Sequence, residues 1–391
     1  MNNGNPIIRK ICHVTSVHPR YDVRILHKEC KSLASNGFDV VLLVNDNLPD
    51  ENIDGVQIIS THIKPRSRFE RVLKSKKILK QKMLQINAEV YHFHDPELLP
   101  EAVWIKKEGK KVIFDFHEDV SQQILFKPWI PKIIRKFTSK IYKKYEKNRI
   151  KKFDALITVT PKFVDRLKQI NPNTIMITNY PILKEKVVND QISKKKAICF
   201  AGGISPQWNH ENIIRAIESI DDIEYIIAGS GSPKYIQKLK KLPGWSKVRY
   251  LGRIPHEKVM DIYSEAMIGM TLLSNNTQVS DEGTLGNTKI FEFMEAELPI
   301  ICSNNRIWTE IVTKYNCGIA IDPNNINEII SAIKYITEYQ NKAFDLGKNG
   351  RRAVEERYNW KKQEIVLLNA YSELLDLTIN IGEESINENQ I

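Results

Sequence analysis

Short β-branched and aliphatic runs alternate with amphipathic helical stretches along this chain, and after a polar break the alternation starts again. This pattern constrains the fold more than any other feature, because strand–helix–strand repeats build parallel sheets covered by helices on both faces. A strand expected over 11–15 leads to a helix over 24–36, closed by Gly37, and then a strand over 39–44. Further strands are expected near 56–60, 90–93, 111–116, 155–159 and 174–177. The break comes at Asn179-Tyr180-Pro181, and 181–196 reads as a linker. Strands are expected again near 197–201, 224–228, 248–251, 268–273, 299–302 and 319–321. A chain of 391 residues is too long for one ordinary core. The expectation is an α/β fold of two doubly wound Rossmann-like domains, 1–180 and 197–360, facing across a cleft. Ligands of such sheets bind beyond the strands' carboxyl ends. A helix over 361–378 is expected to return to the first domain, and 379–391, which lacks apolar periodicity, is expected to be a disordered tail.

The charge is one-sided. Residues 1–200 hold 38 Lys/Arg against 21 Asp/Glu, and residues 201–391 hold 20 against 26. A basic half suits an anionic membrane surface or a lipid-linked phosphate, and no reader motif points to nucleic acid. Ile130, Ile133, Ile134, Phe137 and Ile141 fall on one helical face among lysines and arginines. That face reads either as an interfacial helix on anionic lipid or as a helix packing on the first domain's sheet. The packed reading is preferred for the apolar stripe, with the charge assigned to membrane attraction. A second basic run covers 64–82. There is no run of eighteen apolar residues and no leader-like start, so a cytoplasmic protein at the inner face of the cell membrane is expected. Five scattered cysteines read as buried thiols. No Asp-x-Asp, HExxH or cysteine pair at zinc spacing occurs, so neither a metal nor another cofactor is expected.

The chemistry concentrates at Asn287-Thr288, where a polar loop enters a short helix bearing Lys289 and Glu292 on one face. A carboxylate there can accept both ribose hydroxyls of a nucleotide, while a lysine and backbone amides meet its phosphates. The plain alternative is an i,i+3 surface pair. Gly202-Gly203 lie between an expected strand and helix, where backbone can approach a diphosphate closely.

The runs Phe200-Ala201-Gly202-Gly203-Ile204-Ser205-Pro206 and Tyr250-Leu251-Gly252-Arg253-Ile254-Pro255, with the Lys289/Glu292 block, resemble the retaining GT-B glycosyltransferases of family 4. The runs beginning at His13, His92 and Phe114 are similar to bacterial members acting in surface-polysaccharide synthesis. The resemblance implies metal-independent transfer, with retention, from a nucleotide diphosphate sugar (UDP favoured) to a glycan or lipid-linked acceptor. Glu292 matches the glutamate that binds donor ribose, and Thr284 stands where relatives often have another glutamate. Relatives often place a basic residue at 203 or 208. This chain has Gly203 and Trp208, so the diphosphate falls to Lys289 and Arg253. His117 matches the histidine that contacts the donor sugar, and Arg20 and Asp22 lie where the family approaches its acceptor or diphosphate. His92 and His94 read as pointing to opposite faces of their strand, hence as structural. The rival readings are a catalytically inactive GT-B module in a polysaccharide assembly complex and a nicotinamide enzyme. The latter is prompted by Gly229-Ser230-Gly231, which lacks the third glycine of the dinucleotide fingerprint.

Overall fold

The computed structural model describes residues 9–63, 75–127, 129–184, 195–274 and 282–377. Two compact units account for the chain: Met1–Asn179 with Lys361–Ile391, and Tyr180–Trp360. The C-terminal segment from Lys361 thus belongs to unit 1, and the described residues of the expected linker, 181–184 and 195–196, belong to unit 2. Both units carry the parallel sheet that the alternation predicts.

Unit 1 contains β1 (Lys10–Val14), β2 (Asp39–Val44), β3 (Glu51–Ile53), β4 (Val56–Ser60), β5 (Val90–Phe93), β6 (Lys111–Phe116), β7 (Ala155–Thr158) and β8 (Thr174–Met176). They form one sheet in the order β3-β4-β2-β1-β5-β6-β7-β8, parallel except for β3. The winding direction reverses between β1 and β5, the point where such sheets hold ligands. The edge strand β3 is absent from the expected pattern. It forms because Asp54 and Gly55 both take positive φ, 48° and 81°, and close a two-residue hairpin into β4.

Alternation sorts the two faces of this sheet. Cys12, Val14, Tyr91, Phe93, Val112, Phe114 and Phe116 enter one apolar core. Register places His13 beside His92 on the other face, together with His94, Asp115 and His117 by the period of two. The helix covering that face is wound as a π-helix over Val23–Cys30 and continues as an α-helix over Lys31–Ser35. Asp22 starts it by accepting hydrogen bonds from the backbone N–H of Arg24 and Ile25. The wide turn sets Arg24 and Glu29, five residues apart, at 3.0 Å.

The helix Lys132–Ile150 corrects the packed reading of its apolar stripe. Only Glu146 and Ile150 are buried, while Ile133 is 95% exposed and Phe137 67%. Its anchor is the C-terminal half, where Arg166 pairs with Glu146 at 3.0 Å. Of the second basic run, 64–74 lies outside the described residues. No helix among the described residues is long and apolar enough to cross a membrane.

Unit 2 holds β9 (Ala197–Ala201), β10 (Glu224–Ala228), β11 (Val248–Gly252), β12 (Ile268–Thr271), β13 (Ile300–Ser303) and β14 (Gly318–Ile321). All are parallel in the order β11-β10-β9-β12-β13-β14, which places the switch point between β9 and β12. Helices bury isoleucines, leucines and aromatic rings against both faces of the sheet. All five cysteines are free and buried.

Candidate functional site

A pocket of about 720 Å³ opens at the carboxyl ends of β9, β10 and β11 in unit 2. Gly202, Gly203, Arg253, Lys289 and Glu292 all line it, although they come from three separate stretches of sequence. Gly202 has φ +150°, and a Cβ there would lie 2.5 Å from Lys289 Cε. Only glycine lets the lysine stem cross at this point. A Cβ at Gly203 would meet nothing within 4 Å, so that backbone faces open space.

Lys289 and Glu292 share a helical face without pairing with each other. The Lys289 ammonium lies 4.8 Å from the ring centre of Trp208 and 5.2 Å from that of Phe200. Aromatic faces attract a cation through their quadrupole, so these two rings hold the ammonium in place. Burial lowers the lysine's pKa, against the raising effect of Glu292. Glu292 accepts hydrogen bonds from Thr288 Oγ1 at 2.7 Å and Tyr263 OH at 3.1 Å, which fix its carboxylate plane. Asn287 anchors the loop by accepting from the Lys289 N–H at 3.3 Å and reaching Thr271 Oγ1 at 3.4 Å. Thr284 is tied instead to Trp308, whose Nε1–H donates to its carbonyl at 2.8 Å. Arg253 is exposed and makes no ion pair among the described residues.

Sequence reasoning missed Ser230, which also lines this pocket, and the Phe200–Trp208 platform. Ser230 belongs to the very stretch that prompted the nicotinamide reading. That stretch follows β10, whereas a dinucleotide fingerprint follows the first strand of its unit. The ring platform joins residues from a strand and from a short 3-10 turn that no local pattern connects.

A second polar cluster occupies unit 1, at the carboxyl ends of β1, β5 and β6. Here the reading of His92 and His94 is corrected: residues two apart share a face, and their rings stack with centroids 4.6 Å apart. His13 Nδ1 and His94 Nε2 are 2.9 Å apart, and His92 Nδ1 lies 2.9 Å from Tyr371 OH. Burial drives the pKa of His13 and His92 well down, and takes His94 to about 4 despite the Asp115 carboxylate 3.6 Å away. His117, at the end of β6, is 21% exposed and its Nε2 lies 3.1 Å from Asp115 Oδ2. Arg24 Nε bonds the same Asp115 oxygen at 2.8 Å. Burial works against the Asp115 charge, but Arg24 and His117 outweigh it and hold the carboxyl well below its ordinary range. Glu29 behaves oppositely. Burial raises it, Arg24 opposes, and the Asp115 charge raises it further, so one guanidinium faces one ionised and one protonated carboxyl.

His13, Glu29, His92 and His94, and likewise His94, Asp115 and His117, have the residue types of a metal site. The Arg24 guanidinium is the cation their carboxyls face. The 2.9 Å between His13 and His94 is a hydrogen-bond distance, shorter than the roughly 3.3 Å set by two zinc–nitrogen bonds.

Arg20 does not present its guanidinium to a ligand. It binds Asp46 through two bonds of 2.7 Å and Glu51 at 2.5 Å, and is 4% exposed. Asp22, besides capping its helix, lies 3.3 Å from His18 Nδ1. Burial would raise its pKa, but His18 and the helix amides bring it to about 2. His18, another residue missed from sequence, has its ring centroid 4.9 Å from that of His117.

The family model for glycosyl transferases group 1 matches residues 182–353, and that for glycosyltransferase family 4 matches 23–179. No curated protein matches by sequence. Among solved structures, a sucrose-phosphate synthase from Thermosynechococcus elongatus is 17% identical, with a TM-score of 0.76 over 94% of this chain and 99% of that one. A glycosyltransferase from Rickettsia africae is 15% identical, with a TM-score of 0.68 over 95% and 100%. Anabaena HepE, solved in complex with UDP and glucose, is 12% identical, with a TM-score of 0.69 over 93% and 100%. At these identities the likeness is one of fold.

Proposed function

Because the chain belongs to the family 4 type of GT-B glycosyltransferases, we propose that unit 2 binds a nucleotide diphosphate sugar, UDP-linked by preference, in the pocket of Gly202-Gly203, Lys289 and Glu292. The supporting observation is the pairing of walls: a fixed carboxylate and an ammonium three residues apart on one, glycine backbone with open space on the other. Glu292 accepts the ribose hydroxyls, and Lys289, Arg253 and the loop amides meet the diphosphate. Asn287 and Thr288 hold the loop and the carboxylate in place. UDP is favoured because the HepE structure holds it.

His117 contacts the transferred sugar. Transfer proceeds on one face with retention: the acceptor oxygen bonds to the anomeric carbon as the bond to phosphate breaks, and the leaving phosphate takes the acceptor proton. No enzyme nucleophile or metal enters this scheme, and the protein contributes orientation and charge stabilisation. The acceptor is a glycan or lipid-linked species of surface-polysaccharide type. The exposed apolar stripe of Lys132–Ile150 and the basic residues around it support docking on an anionic membrane surface at the cytoplasmic face. Arg20 and Asp22 contribute on the acceptor side by holding the loop that carries His18.

Thermal shifts with UDP-, GDP- and dTDP-sugars test the donor site. One nucleotide class raises the melting temperature, since a ligand at 100 times its Kd stabilises by about 2.7 kcal/mol. Glu292→Gln weakens that donor by about tenfold, in line with a lost charged hydrogen bond. Unchanged affinity in this variant would remove Glu292 from the site.

A further inference from the structure

We propose that Asp115 is a positioning residue that fixes which nitrogen of His117 meets the transferred sugar, presenting Nδ1 and holding Nε2. The inference rests on the assignment of His117 to the sugar and adds the group that orients it.

Asp115 and His117 are two residues apart at the end of β6, so both side chains emerge on the same face of the sheet. Asp115 is fully buried, and its Oδ2 lies 3.1 Å from His117 Nε2. The same oxygen receives Arg24 Nε at 2.8 Å, while Arg24 NH1 donates to the carbonyl of Ile177 at 2.9 Å. The guanidinium thus ties the carboxylate to backbone as well as to the π-helical turn. An ionised carboxylate only accepts, so the imidazole nitrogen facing it carries the proton. His94 Nδ1, 3.4 Å from His117 Nε2, belongs to a ring that burial keeps neutral, and it completes the polar wall behind His117. Both near neighbours therefore engage Nε2. Among the described residues no hydrogen bond is recorded to Nδ1 of this partly exposed ring. A neutral His117 then offers Nδ1 as an acceptor for a sugar hydroxyl, with its orientation set before the substrate arrives.

Two measurements on the full chain test this. An asparagine amide reaches the place of Nδ1 and a glutamine amide that of Nε2, and both substitutions leave Asp115 and Arg24 untouched. His117→Asn retains at least tenfold more kcat than His117→Gln, with both proteins folded to the same melting temperature. Equal losses, or a better glutamine variant, overturn the inference. In protein labelled with ¹⁵N-histidine, long-range ¹H–¹⁵N spectra place the His117 proton on Nε2. Asp115→Asn, whose amide can donate to Nε2, moves it to Nδ1 and lowers kcat by about tenfold to a hundredfold, the scale of a misplaced reacting group. A wild-type proton on Nδ1 overturns the inference, whether or not the Asp115 variant folds. If no nucleotide sugar binds, the donor-site reading fails instead. If transfer proceeds and both His117 variants match wild type, the assignment of His117 to the sugar fails and the positioning role with it, while the donor pocket stands.

Discussion

Buried histidines make unit 1 sensitive to mild acid. His13, His92 and His94 have folded-state pKa values below the ordinary 6.5 because burial disfavours the imidazolium, so the unfolded chain binds more protons than the folded one below that pH. Their stability is fully present above 6.5 and is lost as pH falls toward each depressed value, at about 1.4 kcal/mol per pH unit per histidine. Glu29 has the opposite sign. Its raised pKa keeps a proton on the folded form that the unfolded form has released, which cancels about one of the three uptakes above pH 4.5. Urea midpoints between pH 7 and 5 are expected to fall, with a net uptake of protons on unfolding. A pH-independent midpoint would show that these rings carry charge when folded. The sequence showed the histidines but not their burial. A period-two count places them on one face, whereas only the covering helix decides whether that face is wet. Arg20 illustrates the same limit: its partners Asp46 and Glu51 lie 26 and 31 residues away, beyond any local pattern.

Among the elements, the helix Lys132–Ile150 departs furthest from ordinary packing. Ile133, Phe137 and Ile141 are more than half exposed, alongside Trp129 at 67%. A contiguous apolar face of this kind marks an interaction surface. The double variant Ile133→Glu/Phe137→Glu is expected to keep its unfolding free energy within about 0.5 kcal/mol, because neither side chain packs in the fold. Cosedimentation with phosphatidylglycerol vesicles is expected to fall more than tenfold, since burying such side chains in lipid is worth about 1.5–3 kcal/mol each. Retained binding by the double variant would assign the membrane contact elsewhere. The heptad-like pattern revealed the helix itself. It could not tell a stripe facing a sheet from one facing solvent, because both demand the same residues. The parallel strands were legible because strands buried on both faces read as continuous apolar runs. The short β3 was not: three residues carry no periodicity, and only the Asp54-Gly55 turn betrays it.

Taken whole, the molecule is two sheets joined twice, because the chain leaves unit 1 at Asn179 and re-enters it at Lys361. The returning helix, Trp360–Leu375, buries Leu367, Leu368, Tyr371 and Leu375 and hydrogen-bonds its Gln363 to the backbone of Thr178 at 2.6 Å. Burial of those four side chains contributes on the order of 8 kcal/mol as an upper figure, comparable with the full stability of a typical domain. A chain ending at Trp360 is therefore expected to lose hydrogen-exchange protection across β1, β5 and β6, while β9 to β14 stay protected. Uniform loss in both units would show that they unfold as one. During synthesis, unit 2 is complete in sequence before unit 1 is. The N-terminal sheet emerges from the ribosome first, yet it waits for the helix that re-enters at Lys361 to receive Tyr371 over its histidines. For that interval the first-made half is the unfinished one, and a chaperone meeting the nascent chain meets a histidine cluster that still lacks its Tyr371 partner.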